Sequence, residues 1–229
     1  TLVFRVMFLV ALMITSLVSV EVERLQSSEY YGLLVAATIG FSLMAAGADL
    51  IMIYLALETA SISSYILAGF YTQNARSSEA GMKYFVYGAF ATGIMLYGMS
   101  LIYGLTTQTN LAAIASVLAG QTSALTGTAA PLVTAVTLDG GAGLSTASNA
   151  ALLLAAAMIV VGFGYKISAV PFHFWTPDVY DGSPTAFTGF LSTASKAAGF
   201  AIFIRVFSAG VLGDPSSSIW WGMLDRKST

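Results

Sequence analysis

The sequence predicts an all-α fold, a polytopic membrane bundle of about six transmembrane helices. Hydrophobic residues make up 57% of its 229 residues and charged residues only 9%, whereas roughly a quarter of the residues of a soluble domain are charged. The mean hydropathy is +0.81, and the apolar residues are gathered into runs of about 20, the length of helix that crosses the hydrocarbon core of a bilayer. We therefore expect an integral membrane protein.

The apolar runs follow one another along the whole chain. Only Asp49 and a few small residues separate the second run from the third, but a single helix of about 40 residues is too long for one span. We predict transmembrane helices over 3–20, 31–48, 50–70, 82–104, 150–170 and 186–208.

The connections between these spans differ in length and composition. The predicted connections are 21–30, 71–81 and the long stretch 105–149, in which LAAIASVLAG (111–120) can form a short amphipathic helix. The resulting organisation has a first helix with its loop over 1–30, five further helices over 31–208, and a tail over 209–229.

Composition excludes several classes of protein. The sequence has no cysteine, so it has no thiolate metal site and no cysteine nucleophile. Its nine basic and eleven acidic residues are scattered singly and form no basic stripe for nucleic acid. The segment GFGYKIS (162–168) lacks the spacing of a phosphate-binding loop. The expected partners are lipid and other membrane proteins.

The candidate ionisable residues within or at the edge of the predicted spans are Glu58, Lys83, Lys166 and Lys196. A charge near the middle of a membrane helix costs about 2.5 to 3.5 kcal/mol on insertion scales, so such residues normally face a protein interior and mark ion or proton pathways. Glu58 is about 12 Å into its predicted helix, and three serines follow it within two turns. The alternative for Glu58 is a structural acid paired with a neighbouring helix.

Lys166 comes just before a predicted helix break. Pro171 has no N–H group and must end or kink the helix, and the negative end of the helix dipole stabilises a lysine placed there. Burial and a neighbouring carboxylate act in opposite directions on the pKa of a lysine, so a lysine whose carboxylate partner comes and goes can take up and release a proton. The alternative is a side chain that snorkels to the lipid headgroups.

Lys196 and His173 complete the candidate set. Lys196 lies ten residues into its predicted helix, among hydroxyl and small residues that allow helices to approach closely, and we interpret it as a second relay site. His173 is the only histidine and is of the type that exchanges protons near neutral pH. It is a candidate bridge between Lys166 and Lys196, although a lone histidine among aromatic residues is more often a packing residue. Lys83 begins its predicted helix and can equally lie at the membrane interface.

Four motifs carry a resemblance to a known family. In their order and spacing they resemble subunit N, also called subunit 2, of the proton-pumping NADH:quinone oxidoreductase, respiratory complex I. The related antiporter-like subunits and the Mrp cation/proton antiporters share the glutamate and the lysines, but the TPDVY form is similar to the N type. The motifs are LALETASISSYILAGF (55–70), RSSEAGMKYFVYGAF (76–90), YKISAVPFHFWTPDVYDGSPT (165–185) and FLSTASKAAGF (190–200).

The resemblance implies a fold of fourteen helices with two inverted five-helix repeats, each containing a discontinuous helix. The second to sixth spans would form the first repeat, with Lys166 as the central lysine on the broken helix and with Glu58, Lys83 and Lys196 as further pathway residues. The second repeat is missing, so we expect the sequence to be the first half of a longer chain. Ala186 stands where the family usually has a second proline.

The function implied by the resemblance is that of a proton-translocating subunit without a redox centre or catalytic site of its own. NADH, FMN, iron–sulfur clusters and quinone would bind to partner subunits of the enzyme complex, in a bacterial inner (plasma) membrane, and quinone reduction there would drive translocation. Two alternatives remain open. The chain could be a subunit of an Mrp-type cation/proton antiporter, or a membrane assembly scaffold whose charges are paired structurally.

Overall fold

The computed structural model describes residues 2–125 and 143–207, and these two stretches are almost entirely helical. The all-α prediction is therefore confirmed for the part of the chain that is described. The helices are α1 (Leu2–Val20), α2 (Ser28–Ala46), α3 (Leu50–Ala68), α4 (Ala75–Thr106), α5 (Leu111–Leu125), α6 (Gly143–Ile167), α7 (Trp175–Gly182), α8 (Thr185–Phe190) and α9 (Lys196–Arg205).

Six segments within those two stretches are long and apolar enough to cross a membrane, as the sequence predicts. A π-helical segment, Leu191–Ser195, joins α8 to α9 in one continuous run. The six segments are α1, α2, α3, α4, the part of α6 from Ala150 to Ile167, and the run Thr185–Arg205.

The connection between α3 and α4 is shorter than predicted. The side chain of Asn74 accepts a hydrogen bond from the N–H group of Arg76 at 3.0 Å, and this cap starts α4 at Ala75. The assignment of 75–81 to a loop is therefore wrong, because the polar side chains of that segment lie on the first two turns of a helix.

Both ends of the predicted loop 105–149 are helical as well. The short amphipathic helix that 111–120 can form is present as part of α5, in which Leu111, Ile114 and Leu118 are buried on one face. The first turns of α6 occupy the other end of this loop. The middle of the predicted loop, 126–142, and the predicted tail, 209–229, lie outside the described residues.

Small residues bring neighbouring helices close together. A Cβ atom on Gly40 of α2 would lie only 2.6 Å from the backbone nitrogen of Ala60 on α3. Where α9 crosses the end of α6, a Cβ atom on Gly199 would lie 2.6 Å from Cγ2 of Ile167 and 3.5 Å from Cγ of Lys166. Such contacts are typical of membrane helix bundles, and the second one brings α9 onto the helix end that carries Lys166.

The helix that carries Lys166 is broken, as the sequence predicts. It ends at Ile167, and Ser168 adopts a left-handed conformation with φ 59°. The N–H groups of Ser168 and Ala169 donate to carbonyls three and five residues earlier, the pattern of a Schellman helix end. A turn that contains Pro171 then leads to α7.

The helix α7 continues from the break towards the membrane edge at which α4 begins. Ion pairs join Lys83 to Asp178 and Arg76 to Asp181, so α7 runs antiparallel to the first turns of α4. The break itself lies at the depth of Ser61, in the middle part of α3. α7 therefore leads from the break along the first turns of α4.

Candidate functional site

Lys166 lies at the centre of the site. Its side chain is 2% exposed, and its Nζ donates a hydrogen bond to Ser61 Oγ at 3.0 Å. The Nζ also lies 5.6 Å from the centroid of the Phe41 ring, a cation–π distance. The lysine thus points into the bundle towards α2 and α3, and the alternative of a side chain that snorkels to the headgroups does not describe it.

Glu58 lies one turn before Ser61 on α3 but does not form an ion pair with Lys166. In residues 2–125 and 143–207, no carboxylate oxygen lies within 4.0 Å of the lysine Nζ, although Glu58 lies three residues before Ser61, the residue that Lys166 contacts. The buried Oε1 of Glu58 has no hydrogen-bond partner there either. A buried carboxylate oxygen without a hydrogen-bond partner is costly. A donor that approaches Glu58 would therefore be bound favourably.

Polar side chains line one face of α3. Glu58, Ser61 and Tyr65 recur at spacings of three and four residues, which places them one above the other on the helix surface. Lys166 contacts this face at Ser61, and the ring of Tyr65 packs edge-on against Tyr84 of α4 with centroids 4.8 Å apart. The face therefore leads from the carboxylate, past the lysine, to the aromatic residues of α4.

Four buried hydroxyls without a protein partner in the described stretches form a cluster beside α4. They belong to Tyr65, Tyr84, Tyr180 and Ser195. The Tyr84 ring lies with its centroid 4.8 Å from that of Tyr65 and 4.5 Å from that of Trp175, and Trp175 in turn lies 6.3 Å from the Tyr180 ring. Burial raises the pKa of Tyr180, which lies between two spans, so its hydroxyl stays neutral near pH 7 and can both donate and accept. Buried polar groups normally have partners in protein or water, and this hydroxyl cluster therefore indicates a polar compartment.

Lys196 adjoins the hydroxyl cluster. It is the first residue of α9, directly after the π-helical segment that ends at Ser195, and its Nζ lies 5.5 Å from the centroid of the Tyr180 ring. Its side chain is half-buried. Segments of π-helix inside α-helices are frequent at functional sites, and this one delivers a hydroxyl and an ammonium group at consecutive positions.

His173 lies in the turn between α6 and α7. Its ring stacks on Phe174 with centroids 5.0 Å apart, and its buried Nδ1 has no hydrogen-bond partner among the residues described. The aromatic residue that contacts Lys196 is Tyr180. The bridge that the sequence suggests through His173 therefore stays a prediction.

Lys83 lies on the third turn of α4, near the end at which this helix begins. Its side chain is 36% exposed, and its Nζ lies 2.7 Å from Glu79 Oε1 and 2.6 Å from Asp178 Oδ2. The structure thus brings Lys83 together with two carboxylates near the membrane edge. In the part of the chain described, it makes no hydrogen bond to Lys166 or Lys196.

Sequence reasoning did not single out Tyr84, Tyr180 or Asp178. The last two belong to the TPDVY segment that carries the resemblance, and Tyr84 directly follows Lys83. Their contacts depend on how the helix break turns α7 against α4, which no spacing within one helix reveals. In contrast, the helical spacing of Glu58 and Ser61 is a signal from which their shared face can be found.

Comparisons with known proteins identify relatives over most of the chain. The profile of a family described as NADH:quinone oxidoreductase/Mrp antiporter, TM, matches residues 47–224. The NADH-quinone oxidoreductase subunit N of Chlorobium chlorochromatii (strain CaD3) is 44% identical over 207 residues, which are 88% of this chain and 36% of the relative. The chain therefore spans little more than a third of the length of that relative.

Two solved structures resemble the fold. Respiratory complex I from Thermus thermophilus with bound Aureothin contains a chain that is 34% identical, with a TM-score of 0.66 over 89% of this chain and 39% of that chain. A chain of the Mrp complex from Dietzia sp. DQ12-45-1b is 22% identical, with a TM-score of 0.65 over 96% of this chain and 37% of that chain. At this lower identity, the second likeness concerns the fold alone.

Proposed function

The chain belongs to the NADH:quinone oxidoreductase/Mrp antiporter transmembrane family, and on that premise we propose that it is a proton-translocating membrane subunit of a respiratory NADH:quinone oxidoreductase. NADH, FMN, iron–sulfur clusters and quinone bind to other subunits of the complex, and quinone reduction there drives proton movement here. The partners are lipid and other complex I membrane subunits, in a bacterial inner membrane.

The observation that carries the proposal is the environment of Lys166. A fully buried ammonium group normally has a carboxylate in contact, but this lysine has the neutral hydroxyl of Ser61 as its hydrogen-bond partner. It also lies in the last turn before a helix break. A buried charge held by so few fixed partners can change its protonation state without the loss of a structural ion pair.

Glu58 supplies the control of that protonation state. If its carboxylate moves closer to Nζ, the attraction grows; between two unit charges it increases by about 2 kcal/mol as their separation falls from about 8 Å to about 4 Å at an effective dielectric constant of about 20. A change of this size alters the proton affinity of the lysine about thirtyfold. Lys166 therefore binds a proton when Glu58 approaches and releases it when Glu58 withdraws.

The released proton moves to Lys196 through the hydroxyl cluster. Neutral tyrosine and serine hydroxyls both donate and accept hydrogen bonds, so they pass a proton between bound waters without becoming charged for long. Tyr180 contacts Lys196 directly, and Ser195 precedes it on the same helix. This route supports the relay role of Lys196 that the sequence suggests.

The test is the substitution Lys166→Met in the assembled complex in membrane vesicles. We expect a lower number of protons pumped per electron while the amount of assembled complex is unchanged. The matched control is Ser63→Ala, which removes a buried hydroxyl that donates to the Thr59 carbonyl of its own helix. Full pumping with normal quinone reduction by the Lys166→Met complex contradicts the proposal.

A cation/proton antiporter is the second candidate, favoured by the description of the family that matches residues 47–224, which includes the Mrp antiporters. The antiporter fold and the buried lysines serve both functions equally well. Transport that requires a sodium gradient, measured in the same vesicles with and without sodium, would favour the antiporter, and quinone-driven pumping in sodium-free medium would favour the oxidoreductase subunit.

A further inference from the structure

Two ion pairs join α7 to the beginning of α4. Lys83 Nζ lies 2.6 Å from Asp178 Oδ2, and Arg76 Nη1 lies 3.8 Å from Asp181 Oδ2. The two acids are three residues apart on one face of α7, and the two bases are seven residues apart on one face of α4. The charges on one helix therefore complement those on the other.

Close packing fixes both ends of α7 on the same partner helix. At its start, Trp175 stacks on Tyr84 with ring centroids 4.5 Å apart and an interplanar angle of 14°. At its end, a Cβ atom on Gly182 would lie 2.5 Å from the carbonyl oxygen of Arg76. The ion pair of Lys83 lies between these two contacts.

The start of α7 also contacts the helix end that carries Lys166. The indole Nε1 of Trp175 donates to the carbonyl of Tyr165 at 3.1 Å, and the Tyr165 hydroxyl donates to the carbonyl of Tyr84 at 2.8 Å. A displacement of α7 from α4 therefore reaches the residue that directly precedes Lys166.

We propose that Lys83 is a positioning residue, which holds α7 on α4 through Asp178 and so fixes the helix break at Lys166, and that it is not a proton carrier. The inference rests on the proposed function, because the site that is positioned is the proton site. Glu79, one turn earlier on α4, binds the same ammonium group but does not join the two helices.

Replacement of Lys83 separates the two roles. Arginine keeps the ion pair but cannot give up its proton in a protein, so Lys83→Arg preserves a positioning residue and removes a carrier. We expect Lys83→Met to lower the protons pumped per electron in the assembled complex by about two- to fivefold. This factor corresponds to the free energy that a partly exposed ion pair contributes to the docked position of α7. Lys83→Arg should remain close to the wild type, and an Arg variant as impaired as the Met variant overturns the inference.

The two carboxylates provide a matched pair of further variants. Both lie within 2.7 Å of the same Nζ, but only Asp178 is on α7. A positioning role predicts that Asp178→Asn lowers pumping about as much as Lys83→Met and that the double variant is no worse, while Glu79→Gln is near neutral. Equal losses from the two acid substitutions contradict the role.

Hydrogen exchange measured by mass spectrometry on the assembled complex tests the position of α7 without reference to pumping. Peptides that cover 168–182 should exchange about two- to fivefold faster in Lys83→Met than in the wild type or Lys83→Arg. Peptides of α3 serve as the internal control. Unchanged exchange at 168–182 overturns the inference even if Lys166→Met abolishes pumping, and faster exchange upholds it even if the proton site lies elsewhere.

Discussion

Lys166 and Lys83 are the same residue type in opposite surroundings. Lys166 is 2% exposed and bonded to a neutral serine hydroxyl, whereas Lys83 is 36% exposed and bonded to two carboxylates. One lies at a helix break in the middle of the bundle. The other lies on an unbroken helix near the membrane edge and joins it to a neighbouring segment.

These surroundings separate a charge that can change its protonation state from one that is fixed. A buried charge without a carboxylate in contact is costly and responds strongly to a carboxylate that moves nearby, because the interior screens weakly. A partly exposed charge between two carboxylates gains little stabilising free energy from each of them. Its ion pair with Asp178 nevertheless links two helices. The first arrangement favours proton exchange and the second favours positioning.

A substitution in the close packing at the end of α7 is expected to have the largest effect, and that effect is on stability. Gly182→Ala places a Cβ atom 2.5 Å from the backbone oxygen of Arg76, and backbone cannot swing aside, so α7 must shift at a cost of about 1 to 3 kcal/mol. The midpoint of thermal unfolding of the assembled complex measures this loss. The control is Gly189→Ala, because nothing lies within 4 Å of a Cβ atom at Gly189. Equal midpoints for the two variants would show that close packing does not hold α7.

Removal of the central carboxylate is expected to lower pumping by about tenfold, because the lysine loses the charge that controls its proton affinity. Glu58→Gln keeps the shape of the side chain, so the amount of assembled complex should be unchanged on a native gel. A scaffold in which Glu58 serves assembly predicts the reverse, a smaller amount of complex that pumps normally per molecule.

The hydrogen bond of Lys166 provides a smaller and more local test. Ser61→Ala removes its acceptor, and a hydrogen bond to a charged group contributes about 1.5 kcal/mol, so pumping should change by about tenfold or less. Ser64→Ala on the same helix is the matched control, since its equally buried hydroxyl donates to the Ala60 carbonyl. If both variants pump alike, Ser61 has no special part in holding the proton.

A change of ionic strength should have the smallest effect, and it should act on the ion pairs of α7 but not on the Lys166 site. Raising the salt from about 0.1 M to about 1 M shortens the screening length from about 10 Å to about 3 Å, which weakens exposed ion pairs. Hydrogen exchange in peptides of 168–182 should increase by no more than about twofold, and exchange in α3 should not change. An increase in α3 but not at 168–182 would reverse the assignment of the two regions.

Much of this arrangement could be predicted because it depends on neighbours along the chain. Pro171 and the apolar run before it predict that a helix ends beside Lys166, and the structure places that end at Ile167. The start of α4 was missed because the cap at Asn74 outweighs the polar composition of the following turns. Asp178 was missed because its partner, Lys83, lies 95 residues away in the sequence.

The all-α class, the six apolar segments and the helix break follow from the sequence alone, because hydropathy and proline geometry act over a few residues. Three contacts, in contrast, arise from the packing of the helices: Lys166 with Ser61, Lys196 with Tyr180, and Lys83 with Asp178 of α7. Each residue along a helix turns the next side chain by about 100°, so these contacts depend on the rotation and depth of helices that are distant in sequence. Those two quantities are set by packing between helices.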